Sequence, residues 1–197
     1  IARKIIKSSS SKDIWDVNNL VKNLPTYINP QNGWVQSTNQ NPFYVMGKYS
    51  LENKLVTKFV DYEKRLTNRS YVANELLSSN ESIDLNRFIE IKFDNSYSMY
   101  SRQYNYLESI AQYDQNILEA IKNWNSKTYI RITNAGLGMC FMAQEWISEM
   151  NSKSAPTYES AKAECESIFK TIKRDFSDEW GLMLSLIHIS EPTRRDQ

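Results

Sequence analysis

Asn39, Gln40 and Asn41 stand in a row directly before Pro42, and a short amide held at the end of an extended segment can aim an N–H at developing negative charge. That is the requirement of an oxyanion hole. Taken locally, the triplet also reads as a plain surface turn, since Asn and Pro are turn residues in any context. The remaining inventory of reactive groups is thin. His188 is the only histidine of the chain, so there is no Ser-His-Asp triad, Cys-His pair or histidine metal site to assemble. Gly136-Leu137-Gly138 is a lone Gly-x-Gly without a third glycine or a preceding apolar strand, and dinucleotide binding is set aside. Glu90, Lys92 and Asp94 alternate around Ile91 and Phe93, the pattern of a solvated helix end. Cys140 and Cys165 fall on the apolar sides of two helices, where buried thiols acting as small hydrophobes are the favoured reading; a disulfide between them is the alternative in an exported protein.

The elements that must position the triplet follow from periodicity and punctuation. Gly33 to Phe43, GWVQSTNQNPF, alternates apolar and polar residues after the turn-forming Asn29-Pro30-Gln31-Asn32, and predicts a strand that delivers Asn39 to a sheet edge, with Phe43 to Met46 continuing extended. Lys12 to Asn23 reads as a short helix or irregular connection, and Leu24-Pro25 as extended. From Thr67 the pattern is helical. Val72, Ala73, Leu76 and Leu77 form one apolar face; Ser82 caps a second helix buried through Leu85, Phe88 and Ile89. A long helix over about Arg102–Trp124 carries Leu107, Ile110, Ile117 and Ile121 on one stripe, interrupted by Asp114, a surface or capping acid. Two more helices are expected at about Ala135–Met150 and Tyr158–Phe176, the latter opened by Pro156-Thr157.

Composition sets outer bounds. With 197 residues, 41% hydrophobic and 24% charged, the chain can bury a core. A formal net charge of +1 gives no case for nucleic acid or a membrane surface as partner, and no apolar run approaches the ~20 residues of a bilayer span. The first residue is Ile1 rather than Met, so the chain is expected to be a piece of a longer protein. Leu184 to Arg194, LSLIHISEPTR, resembles a translated sequencing adapter, so residues 184–197 are expected to be a non-native tail with few packed contacts; His188 lies inside it.

NPQNGWVQSTNQNPF resembles a segment of the penicillin acylase family, amidohydrolases whose nucleophile is the N-terminal residue of a self-cleaved chain. Arg69 followed by Leu76-Leu77, the SIDLNRFIEIKFDNSYS stretch, and ILEAIKNWNS, in which Asn125 replaces a usual Asp, resemble further family segments in the same order, covering most of Leu24 to Met150. The resemblance implies an α+β fold, a fragment of an αββα N-terminal nucleophile hydrolase with a short strand region followed mostly by helices, residues 1–183 belonging to the catalytic β chain. It also implies that Asn39 is an oxyanion-hole donor and that Arg69 lies nearby and orients it. A guanidinium suits that task because it can only donate and so grips the amide oxygen. The nucleophile, an N-terminal Ser whose own α-amine is the base, is expected upstream of Ile1, making the isolated chain inert. The implied partners are a small-molecule acyl amide (a β-lactam side chain, an acyl-homoserine lactone or similar) and the upstream part of the same precursor. The implied location is periplasmic or secreted. Calcium is implied for full-length relatives, with no ligand assignable here. The alternative is a non-catalytic helical interaction module or degenerate acylase homologue in which the NQNP turn is only a turn.

Overall fold

Asp114 divides what the apolar stripe reads as one helix. The structure, a computed structural model describing residues 10–11, 26–50, 65–79 and 82–184, ends α3 (Arg102–Ala111) and restarts at α4 (Gln115–Asn123). Aspartate is a poor interior helix residue but a strong N-cap, because its carboxylate satisfies the free N–H groups of a new first turn. Its Oδ1 accepts from the backbone N–H of Asn116 and Ile117 at 3.0 and 3.3 Å. Its Oδ2 accepts from the Tyr158 hydroxyl at 2.8 Å and from Lys162 Nζ at 3.1 Å. The Tyr158 and Lys162 hydrogen bonds, with the cap bonds, hold the Asp114 carboxyl at about 2, below its ordinary 3.8. A depressed acid stabilises the fold above its ordinary range and loses that contribution as pH falls through the folded value. Acid unfolding should therefore carry a component between about pH 4 and 2 that Asp114→Asn removes, measured by circular dichroism against pH.

The other helices begin on the caps their sequences supply. Thr67 caps α1 (Asn68–Leu77) and Thr157 caps α6 (Tyr158–Ile172), each side chain accepting from the N–H three residues on. For α2 (Leu85–Lys92) the cap is Asp84, accepting from Arg87 N–H, rather than Ser82. Helix α5 (Ala135–Met150) starts after Asn134 in the left-handed conformation, φ +62°. α6 stops at Ile172, short of Phe176, because Lys173 turns left-handed at φ +53°.

The core lies where α5 packs on α3 and α6 and α3 on α4. Leu107, Ile110, Ile117, Ile121, Trp124, Leu137, Phe141 and Phe169 fill it. Gly138 belongs to this packing and not to a nucleotide loop. A Cβ there would sit 2.7 Å from Trp124 Cε3, while the indole N–H donates to Lys127 O at 2.7 Å and cannot swing away freely. Gly138→Ala should destabilise by about 1–3 kcal/mol through overpacking, despite alanine's better helix propensity. A thermal melt checks this, and an unchanged or raised Tm would show that the ring yields.

Cys140 on α5 and Cys165 on α6 form a disulfide, with Cα atoms 5.8 Å apart, so the favoured reading of two free buried thiols is corrected. Helical pitch put both on apolar faces, but only the packing of α5 on α6 brings those faces together. A second correction concerns α2: Leu85, Phe88 and Phe93 are 72%, 52% and 62% exposed, and Ile89 is exposed too. Its main neighbour is α1, and among the described residues nothing covers its apolar side.

No strand is formed among the described residues, which are mostly helical, and the expected α+β composition is not seen there. One isolated antiparallel bridge joins Ser96 to Lys127. The predicted strand at Gly33–Phe43 instead folds back through a single backbone bond, Gln36 N–H to Val45 O at 2.9 Å. Phe43 to Met46 is not extended either, since Pro42–Tyr44 and Gly47–Tyr49 are 3-10 turns. The physical reason is competition from side-chain amides. Gln36 Nε2 donates to Tyr44 O, Asn32 Nδ2 to Met46 O, and Asn41 Oδ1 accepts from Phe43 N–H, taking the groups a ladder would use. The expectations for Lys12–Asn23, Leu24-Pro25 and residues 185–197 of the tail lie outside the described residues. No helix among the described residues is long and apolar enough to cross a membrane.

Candidate functional site

The turn carrying Asn39 is docked on the first turn of α1, and the polar residues of both segments do the docking. Arg69, the second residue of the helix, donates from Nη2 to Asn39 Oδ1 at 2.9 Å and to Thr38 O at 3.3 Å. Ser70, fully buried, meets the Thr38 hydroxyl at 2.9 Å. Further along α1, Asn74 Nδ2 donates to Ser70 O at 2.8 Å and Tyr44 O at 3.4 Å, closing the far side of the turn.

Asn39 itself is exposed and left-handed, φ +63°, a conformation that asparagine tolerates better than other side-chain-bearing residues. Because a guanidinium only donates, the atom it meets must be the amide oxygen. The Asn39 Nδ2 is consequently the group turned outward, and among the described residues no acceptor meets it. Its neighbours are spent differently. Gln40 accepts from the Thr38 N–H and hydroxyl at 2.6 Å each, and buried Asn41 caps the following 3-10 turn. Of the three amides, geometry leaves only Asn39 presenting an oriented side-chain donor to solvent.

Arg69 also lines a groove of about 870 Å³ between the start of α1, α3 and α5, walled by Tyr71, Tyr97, Met139, Met142 and Trp146. This volume lies within the range of small-molecule sites. At the same groove Arg102 binds Glu145 through Nε and Nη2 at 3.0 and 3.1 Å, and Glu149 bonds to both Arg102 and Arg65. Burial raises the Glu145 carboxyl above the ordinary glutamate range against the opposing Arg102 charge. For Glu149, burial pushes upward but the Arg65 and Arg102 bonds win and lower it. Tyr106, beneath them, is pushed up to about 12 by burial and then by Glu145. These charges neutralise one another and leave Arg69 as the cation that joins groove and turn.

The remaining motif residues have structural work. Leu76 and Leu77 are half-buried on α1, Asp94 accepts from Ser96 N–H at 2.8 Å, and Asn125 Oδ1 accepts from Lys127 N–H at 3.2 Å. Among the described residues no three or more His, Cys, Asp or Glu side chains gather as a metal site. Sequence reasoning missed the groove and the Thr38–Ser70 contact. Neither has a local signal, since hydroxyls in a turn and methionines on a helix are ordinary residues.

The site is thus a turn with a left-handed asparagine whose amide is held by an arginine at the mouth of a groove. Residues 2–186 match the penicillin amidase family, and the chain belongs to it. No curated protein and no solved structure matches the chain.

Proposed function

We propose that this chain is part of the catalytic β chain of an amidohydrolase of the penicillin acylase type, whose full-length architecture is αββα. It would hydrolyse the amide of an acylated small molecule, such as a β-lactam side chain or an acyl-homoserine lactone. The observation that carries this reading is the 2.9 Å bond from Arg69 Nη2 to Asn39 Oδ1, which fixes the amide so that Nδ2 faces outward. In the reaction an N-terminal Ser hydroxyl supplied by the upstream part of the precursor attacks the substrate carbonyl, and its α-amine takes the proton. The carbonyl oxygen gains charge and accepts from Asn39 Nδ2, whose orientation costs nothing at that moment because Arg69 has already set it. The amine then returns the proton to the leaving nitrogen, and water releases the acyl group by the same route reversed. A periplasmic or secreted location is supported by the Cys140–Cys165 disulfide, a bond that persists in oxidising compartments.

Arg69→Lys tests the reading. Arg69 reaches Asn39 Oδ1 and Thr38 O from one nitrogen, Nη2, at the tip of a rigid planar group, and the shorter, freely rotating lysine ammonium does not hold that point in one orientation, so kcat of the full-length enzyme should drop by about tenfold or more while KM changes little. Wild-type turnover in that variant would remove Arg69 from the site. A second reading, a non-catalytic interaction module, is favoured by the exposed Leu85 and Phe88 on α2 and Phe93 just after it. It requires that the upstream precursor lack a Ser at its processing junction.

A further inference from the structure

We infer that Thr38 and Ser70 are positioning residues for Asn39, joined by a hydroxyl chain whose proton order is fixed, an inference that rests on the oxyanion reading of Asn39. The order follows from counting donors. Gln40 Nε2 faces the Gln36 carbonyl, which only accepts, and Gln40 Oε1 faces the Thr38 N–H, which only donates, so the orientation of this amide is settled twice over. The Thr38 hydroxyl therefore spends its single proton on Gln40 Oε1 at 2.6 Å. In its 2.9 Å contact with Ser70 it must accept, which makes Ser70 the donor. With that proton used, Ser70 Oγ must accept from the Thr67 hydroxyl at 3.2 Å. Thr67 Oγ1 in turn accepts from the Ser70 backbone N–H at 3.3 Å, as the cap of α1.

The chain thus runs one way, from the first-turn N–H of α1 through Thr67, Ser70 and Thr38 to Gln40. Each hydroxyl is polarised by the one before it and by the positive end of the helix. Ser70 is fully buried, so water cannot substitute for a lost partner. What ties this to Asn39 is common origin. The hydroxyl chain fixes the backbone of residue 38, immediately before the left-handed Asn39, while Arg69 of the same helical turn fixes the Asn39 amide. Backbone and side chain of the donor are both referred to one rigid element, as a preorganised site demands.

The test uses the full-length processed enzyme and an amide substrate bearing a chromogenic leaving amine. Thr38→Val and Ser70→Ala should each lower kcat about 10–100-fold with KM near wild type, because a displaced donor costs the transition state and not ground-state binding. Thr38→Ser, which keeps the hydroxyl, should recover most of the loss. In an Asn39→Ala background Thr38→Val should add no further loss, since the group it positions is already gone. If Ser70→Ala fails to fold, Gln40→Met at the half-exposed end of the chain asks the same question and should lower kcat alike. Wild-type kcat in Thr38→Val beside an impaired Asn39→Ala, or losses that multiply in the double variant, would overturn the inference while leaving the oxyanion reading intact. Full activity of Asn39→Ala would bring down the oxyanion reading and this inference with it.

Discussion

Asn39→Ala in the full-length enzyme is expected to lower kcat by ~10²–10³ with KM little changed, the usual effect of removing one oxyanion donor. The structure also says which control the experiment needs. Asn39 sits at φ +63°, where alanine carries a strain of about 1–2 kcal/mol, so part of any loss in Asn39→Ala could come from a distorted turn. Asn39→Gly accepts that backbone without strain and removes the same amide. Where the missing amide is the whole cause, the two variants lose kcat equally and differ only in thermal stability, and a smaller loss in Asn39→Gly measures the share due to the distorted turn. Asn39→Asp keeps the shape and the bond to Arg69 but presents an acceptor where the oxyanion needs a donor, and should be at least as impaired. Near-wild-type kcat in Asn39→Gly would return the NQNP segment to a plain surface turn.

The largest stability effect is expected from the Cys140–Cys165 bridge. It closes a loop with a sequence separation of 25, and the chain-entropy relation gives about 3–4 kcal/mol for a loop of that length. For a domain of this size each kcal/mol moves Tm by about 2–4 °C, so complete reduction, or the Cys140→Ala/Cys165→Ala double variant, should lower Tm by about 6–16 °C. Both cysteines are buried, so reduction should need partial unfolding and proceed slowly under native conditions. α5 carries Met142, Trp146 and Glu149 at the groove and α3 carries Arg102, so loosening α5 from α6 should also broaden the groove's contacts. A Tm shift under 2 °C on reduction would mean that the bond does not hold the two helices together in solution.

The sequence by itself carried the helices whose own residues start and stop them. Helix α5 was read at about Ala135–Met150, where it lies, and Thr157 after Pro156 marked the start of α6, because a capping hydroxyl acts within one turn. The pairing of Asn39 with Arg69 was also legible, from an ordered set of family motifs combined with the fact that a guanidinium can only donate. Asp114 was read as a surface or capping acid, and the break it makes between α3 and α4 was not read at all, since whether an acid caps or rides a helix surface depends on Tyr158 and Lys162 arriving from 44 and 48 residues away. Tertiary packing alone decided that α2 keeps Leu85, Phe88 and Ile89 exposed, for an apolar stripe names a face and never what covers it. It decided likewise that Cys140 and Cys165 are bonded, that Gly138 makes room for Trp124, and that residues 33–43 turn back on themselves. A strand exists only in a ladder, and here amide side chains from Asn32, Gln36 and Asn41 take the backbone groups that a neighbouring strand would have needed.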